Sequence, residues 1–162
     1  MGGRVLAGSV LTLVQQYFAR PEMEYRRAAV ACMARLAEGA PQVFKQYLDI
    51  SIQMLAAALN DSSSRVRYQA VQAVGRFAAL VPVSLGQLVD AFLPRLTALL
   101  AANDTCDRVR GHCASAMINL TNPENCDADI LQKHLEPLLS ALVTCLQSAA
   151  LEVQPPCLVL LG

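Results

Sequence analysis

The chain has 162 residues with a formal net charge of +0 at pH 7, and 54% of its residues are hydrophobic while 16% are charged. This apolar content excludes an intrinsically disordered chain, and the zero net charge excludes the broad positive potential on which general nucleic-acid binding depends. No apolar run reaches the roughly 18 residues that a membrane-spanning helix needs. We therefore expect neither a membrane segment nor direct contact with nucleic acid.

Two amphipathic helices are predicted before Pro41. In residues 5–19 apolar side chains recur at helical spacing, and Pro21 ends the pattern because proline disfavours helix in the residue before it. An acidic first turn opens the second helix at Glu22, where the helix dipole favours negative charge, and Gly39 ends it. We expect the buried side of this second helix to consist of Tyr25, Ala28, Ala29, Cys32, Met33 and Leu36.

A second helix pair is predicted between Gln42 and Pro82. Its first helix carries one apolar stripe from Val43 to Leu59, and a polar turn at residues 60–64 follows, in which a serine caps the next helix. That next helix is expected to bury Val66, Ala70, Val74, Phe77 and Val81.

A third pair follows the same plan. Its first helix is predicted over residues 85–100, where leucine, valine and phenylalanine recur at helical spacing. The side chains expected to line its second helix are Val109, Cys113, Ala116, Met117 and Leu120.

The fourth pair begins with one long predicted helix over residues 130–146. Its second helix should start near Leu151, with Pro155 and Pro156 tolerated only in the opening turn. Pro94 lies in the first helix of the third pair, and Pro137, 43 positions later, lies in the first helix of the fourth pair. We therefore predict a bend in both of these helices.

A fixed period relates these pairs to one another. Three residues of the turn and helix start at Asp61, Val66 and Arg67 recur 43 positions later as Asp104, Val109 and Arg110. A period of roughly 40–47 residues built from helix pairs is typical of HEAT and armadillo solenoids. We therefore predict a single all-α solenoid of HEAT repeats, with antiparallel helix pairs in a right-handed superhelical stack and repeats at about 5–41, 42–82, 83–123 and 124–162, the last one truncated.

The recurring acid and arginine predict a structural ladder. Asp61 and Asp104 lie in turns, and Arg67 and Arg110 lie in the first turns of the helices that follow. We expect each arginine to reach the aspartate of a neighbouring repeat or its own turn, which would fix the register between repeats; the alternative is that these arginines bind a ligand. The pattern is incomplete at both ends, where the corresponding residues are Arg20 with Arg26 and Ser148 with Gln154.

Candidate catalytic groups are few. His112 and Cys113 are the only adjacent imidazole and thiol, and neighbouring helical residues point about 100° apart, so they do not face each other. None of the six cysteines forms a CxxC motif, and several occupy positions typical of a helical core, which favours free thiols in a reducing compartment. We expect no enzyme activity, no metal and no cofactor.

Two segments carry a resemblance to a known family. Residues 65–78 and 108–121, with the supporting phrase Leu135-Glu136-Pro137-Leu138-Leu139, resemble the importin-beta (karyopherin-beta) family of nuclear transport receptors, most closely its karyopherin-beta-3, Ran-binding importin branch. The likeness covers about residues 20–147, and it implies a segment of a longer receptor whose second helices line a concave surface that binds protein cargo or the GTPase Ran. Members of this family work in the cytoplasm and the nucleus.

The resemblance also suggests where a partner would bind. Exposed positions of the second helices include Arg35, Arg76 and Asn119, spaced 41 and 43 apart, and Asn119 either bonds a cargo backbone amide or satisfies its own helix end. Protein cargo, including basic cargo such as ribosomal proteins or histones, is the expected partner together with Ran. A HEAT-repeat scaffold of another kind, in a phosphatase, a condensin-like complex or a translation-linked adaptor, is the alternative. Because both ends of the chain are apolar, we expect the isolated chain to self-associate or to be poorly soluble.

Overall fold

The computed structural model describes residues 2–80, 85–102, 105–122, 126, 128–148 and 153–161. Over these residues the chain forms ten α-helices and one short 3-10 helix, and none of the described residues lies in a β-strand. The chain divides into two compact units, Met1–Val81 and Pro82–Gly162.

The first unit contains five α-helices. They are α1 (Gly2–Phe18), α2 (Met23–Gly39), α3 (Pro41–Phe44), α4 (Leu48–Leu59) and α5 (Ser64–Leu80), and the 3-10 helix Lys45–Tyr47 joins α3 to α4. The stripe expected to begin at Val43 is therefore interrupted, and one regular helix starts only at Leu48.

Alanine-rich surfaces hold the first unit together. Helix α2 packs against α1 and α5, and α4 packs against α5. The alanines of α2 and α5 that are at most 3% exposed allow the two helices to approach closely; they are Ala29, Ala34, Ala37, Ala70, Ala73 and Ala78. Larger side chains such as Met33 and Phe77 fill the remaining space and are fully buried.

The predicted buried side of α2 is partly wrong, whereas that of α5 is confirmed wherever the structure describes it. Tyr25, Ala28 and Cys32 are exposed and Leu36 is half-buried, whereas the buried residues of α2 are Ala29, Val30, Met33, Ala34 and Ala37. The side of α2 that carries Tyr25 and Cys32 faces solvent, although the Tyr25 ring lies 5.3 Å from the ring of Tyr17 on α1. In α5 the predicted Val66, Ala70, Val74 and Phe77 are all buried, and Val81 lies outside the described residues.

The second unit also contains five α-helices. They are α6 (Leu85–Ala101), α7 (Asp107–Leu120), α8 (Ala128–Gln132), α9 (Leu135–Ser148) and α10 (Gln154–Leu161). Helix α6 packs against α7 and α9, and α10 packs against α7 and α9. The residues predicted to line α7 are buried, as expected: Val109, Cys113, Ala116, Met117 and Leu120.

The prolines of the second unit behave differently from one another. Pro94 lies inside α6 as predicted, whereas the long helix expected over residues 130–146 is divided into α8 and α9 by a turn at residues 133–134. Pro137 consequently lies in the first turn of α9. Backbone N–H groups in a first turn make no intrahelical hydrogen bond, so a proline there does not disrupt the helix. The predicted bend within one helix is therefore wrong at Pro137. Pro155 and Pro156 occupy the opening turn of α10, as predicted.

Candidate functional site

Three arginines each close the turn that precedes their own helix. In α2, Arg26 Nη1 donates to the carbonyl oxygens of Arg20 and Pro21. In α5, Arg67 Nη1 donates to the carbonyl oxygens of Asp61 at 2.8 Å and Ser62 at 3.1 Å. These carbonyls lie in turns and have no helical donor, so the guanidinium satisfies them.

Arg110 plays the same part in α7. Its Nη2 donates to the carbonyl oxygen of Ala102 at 2.7 Å, and its Nη1 lies 3.5 Å from Asp107 Oδ1. The Arg110 side chain is buried, and its Nε has no hydrogen-bond partner among the described residues. Asp104, the predicted partner of Arg110, lies outside the described residues.

The carboxylate of Asp61 is bound by the arginine of the preceding helix pair. Arg26 Nε lies 2.7 Å from Asp61 Oδ2 and Arg26 Nη2 lies 2.9 Å from Oδ1, which is a bidentate ion pair between residues 35 positions apart. The backbone N–H of Ser63 also donates to Oδ1, at 2.8 Å. Arg67 reaches only the backbone of this turn, so the expected contact between helix pairs is made to Asp61 by Arg26.

The Arg26–Asp61 pair corrects one expectation about the ladder. The first helix pair was expected to be outside it because Arg20 occupies the position of the acid, yet the first pair supplies the guanidinium. The hydrogen bonds from Arg26 hold the pKa of the Asp61 carboxyl below its usual range, although partial burial of the carboxyl acts in the opposite direction. The same bonds raise the pKa of Arg26.

Two of the three predicted partner-binding residues lie together in the first unit. Arg35 Nη1 on α2 lies 2.7 Å from Glu38 Oε2, and Arg76 Nη1 on α5 lies 3.3 Å from Glu38 Oε1. The Arg35 side chain is 71% exposed and that of Arg76 is 36% exposed, so both face solvent while sharing one carboxylate. We call these three residues the Arg35–Glu38–Arg76 cluster. The third predicted residue, Asn119, is exposed on α7 in the second unit.

Sequence reasoning did not identify Glu38 as the centre of this cluster. Its spacing of three from Arg35 on a helix was a usable signal, because residues at i and i+3 are neighbours on the helix surface. The contact with Arg76 spans 38 positions and depends on how α2 packs against α5, so no local pattern predicts it.

A groove in the second unit was also absent from the sequence predictions. It has a volume of about 370 Å³ and is lined by Asp107, Arg108, Gly111, His112, Ser115 and Pro156. Burial and the neighbouring Arg108 lower the pKa of His112, so its imidazole is neutral at physiological pH. The groove exists because the opening turn of α10 lies beside α7, which the sequence pattern of either helix does not determine.

Two thiols of the second unit, Cys113 and Cys157, are buried and serve packing. Burial raises the pKa of the Cys113 thiol, so it stays protonated beside His112. Burial likewise raises the pKa of Cys157 to about 12, and its Sγ lies 4.0 Å from that of Cys145. A protonated, buried thiol is a poor nucleophile. Among the described residues no three His, Cys, Asp or Glu side chains are grouped closely enough to hold a metal ion.

Comparisons with known proteins agree with this geometry. A family model described as a HEAT-like repeat matches residues 23–77, from the start of α2 into α5. Importin subunit beta-3 of Saccharomyces cerevisiae is 31% identical over 155 residues, which covers 95% of this chain and 14% of the relative. Among solved structures, Kap121p bound to RanGTP is 30% identical with a TM-score of 0.88, covering 97% of this chain and 15% of Kap121p.

The same receptor bound to a different protein gives a similar result. Kap121p bound to Pho4p is 30% identical with a TM-score of 0.85, covering 96% of this chain and 15% of Kap121p. The chain belongs to the importin-beta family. The predicted all-α solenoid of HEAT repeats and the resemblance to the beta-3 branch are confirmed, and the chain spans about one-seventh of the length of the relatives it matches. No described helix is both long enough and apolar enough to cross a membrane.

Proposed function

We propose that the chain is a protein-binding segment of a nuclear transport receptor, which contributes to the binding of protein cargo, of Ran GTPase, or of both in nuclear import. The observation that carries the proposal is the 31% identity to importin subunit beta-3 along 95% of the chain. The similarity to Kap121p in complexes with RanGTP and with Pho4p supports it. A receptor with this role works in both the cytoplasm and the nucleus, so we propose both compartments for this chain.

The role proposed is binding without catalysis. The one adjacent imidazole and thiol are His112, whose pKa is lowered, and Cys113, whose pKa is raised, so neither matches an activated nucleophile. Relatives of this family that share the HEAT architecture present long surfaces to other proteins, which suits recognition by many distributed contacts.

The Arg35–Glu38–Arg76 cluster is the proposed contact for a protein partner in the first unit. Glu38 holds both guanidinium groups in place, which lowers the conformational entropy that each loses when a partner binds. Arg35 is largely exposed and can donate to a carboxylate or carbonyl of the partner, while Glu38 can accept from a basic side chain of the cargo. In the second unit, the exposed amide of Asn119 is proposed to bond the cargo backbone, since an amide offers both a donor and an acceptor.

The test uses the full-length receptor that contains this segment. Immobilised receptor is exposed to Ran loaded with GTP or with GDP, and capture that depends on GTP supports the transport function. Absence of Ran binding together with recovery of a phosphatase core would overturn it in favour of a scaffold.

The proposed face is tested separately with the double variant Arg35→Glu and Arg76→Glu. We expect cargo affinity to fall by about tenfold or more, because reversal of two contact charges leaves partner groups unpaired. Arg27→Glu is the matched control, since Arg27 is also an exposed arginine on α2 but is not part of the cluster. Equal cargo affinity in the double variant and the control would exclude this face while leaving the Ran result intact.

A further inference from the structure

The charges of the chain are unevenly divided between its two units. The first unit contains nine lysine and arginine residues and five aspartate and glutamate residues, whereas the second contains four basic and eight acidic residues. Helix α5 shows the largest excess, since it carries three arginines and no acidic residue. The net charge of +0 for the whole chain therefore conceals a positive first unit, whose local field attracts acidic groups.

Two arginines and two glutamines form one exposed stripe along α5. Arg65, Gln69, Gln72 and Arg76 follow one another at intervals of four, three and four positions, which places them on one side of the helix. Each side chain is exposed or half-buried. Gln72 Nε2 donates to the hydroxyl of Tyr68 at 2.9 Å, which holds the Gln72 amide in place. We call Arg65, Gln69, Gln72 and Arg76 the α5 stripe.

Both ends of the α5 stripe carry positive charge that the chain leaves uncompensated. At one end, the Arg35–Glu38–Arg76 cluster contains two guanidinium groups and a single carboxylate. At the other end, Arg65 is exposed and has no ion-pair partner among the described residues. Arg65 and Arg76 are 11 positions apart in α5, which is about 16 Å along a helix that rises 1.5 Å per residue.

We propose that the α5 stripe binds an extended acidic segment of a partner protein, with one carboxylate between Arg35 and Arg76 and a second at Arg65. An extended chain advances about 3.3 Å per residue and turns alternate side chains to the same side, so acidic residues four or six positions apart match the span of about 16 Å. Gln69 and Gln72 lie between the two ends and offer amide donors and acceptors to the backbone of the segment.

The carboxylate of Glu38 favours a peptide over a nucleic acid. Glu38 is 30% exposed inside the cluster, and a nucleic acid brings a negative phosphate at every nucleotide against it. A peptide can instead place a neutral residue there, whose backbone N–H donates to the carboxylate. A basic segment is repelled by the arginines of α5, which no acid of that helix balances.

The experiment compares three short dye-labelled peptides by fluorescence anisotropy with the 162-residue chain. The peptides share one neutral sequence and differ only at two positions four residues apart, which are both Glu, both Gln or both Lys. We expect the Glu peptide to bind about tenfold more tightly than the Gln peptide and the Lys peptide to bind least. Added salt should reduce this preference, because exposed charges are screened.

Single variants locate the two carboxylates. Arg65→Gln and Arg76→Gln should each reduce the preference for the Glu peptide by about threefold, because each removes one charged donor. The double variant should lose the preference, since the two contacts are far enough apart to be additive. Arg27→Gln is the matched control, because Arg27 is exposed and makes no ion pair within the described part of the chain, but lies on α2 outside the stripe. Circular dichroism confirms that each variant is folded.

The outcomes separate this inference from the proposed function on which it rests. Equal binding of the three peptides, tighter binding of the Lys peptide or an equal effect of Arg27→Gln would overturn the inference. Tighter binding of a single-stranded oligonucleotide than of the Glu peptide would overturn it in favour of nucleic acid. The Ran and cargo assays on the full-length receptor report on the proposed function separately, so cargo loss in the charge-reversal variant without any preference for the Glu peptide rejects the inference alone.

Discussion

Gly111 offers a test in which the structure fixes the size of the effect. It is the fifth residue of the 14-residue helix α7, and a Cβ added there would meet no heavy atom within 4 Å outside its neighbours and the backbone of its own helix. Glycine in a helix interior is about 0.8–1.0 kcal/mol less favourable than alanine. With no steric cost to offset this gain, Gly111→Ala should raise the free energy of unfolding by about 1 kcal/mol and the melting temperature by roughly 2–4 °C.

Gly86→Ala is the matched comparison, because this glycine also lies in a helix but has a close neighbour. A Cβ at Gly86 would lie 2.8 Å from Ile130 Cδ1, so Ile130 must move. Ile130 Cδ1 is the end of a half-buried side chain that can rotate away at modest cost. Gly86 is also the second residue of α6, where helix propensity counts for less than in the interior, so the gain in stability should be smaller than at Gly111. Urea denaturation of the unmodified chain and both variants measures the two changes. Loss of stability in Gly111→Ala, or an equal gain in Gly86→Ala, would refute the reasoning.

Two further predictions concern single groups. The pKa of Asp61 is held low by Arg26, so the stabilisation from this carboxylate is present above its unfolded-state pKa of about 3.9 and is lost as pH falls through the lower folded-state pKa. Asp61→Asn should therefore lower stability at neutral pH and flatten its acid dependence in urea titrations at several pH values, and unchanged pH dependence would contradict the ion pair. In the second test, a thiol reagent should modify the exposed Cys32 and Cys106 quickly in the folded chain, with the buried thiols reacting only after unfolding. Rapid reaction of more than two thiols would contradict the burial observed for Cys113, Cys126, Cys145 and Cys157.

The buried sides of α5 and α7 were the parts of the fold most completely predicted. Every predicted core residue of α7 is buried, as are Val66, Ala70, Val74 and Phe77 of α5. These helices have neighbours on more than one side, so the whole apolar stripe read from the sequence is covered. The same reading failed for Tyr25 and Cys32 of α2, because burial of a stripe requires a neighbour that the helix sequence does not specify.

The candidate site was likewise predicted only in part. Arg35 and Arg76 were predicted on one exposed face from their 41-position spacing, and they lie together. The carboxylate that joins them, Glu38, and the choice of Arg26 as the partner of Asp61 were not predicted. Each of these contacts spans two helix pairs, and a side chain as long as arginine can reach several acceptors within its range.

The sequence by itself determined the helical period, the HEAT architecture and the family, because a repeated pattern of apolar residues needs no distant information to be read. Only the tertiary structure decided which arginine binds which carboxylate, where α8 and α9 separate, and which apolar stripes are left exposed. Those outcomes depend on distances between helices that meet across many residues, and such distances are set by packing after the local pattern has already formed the helices.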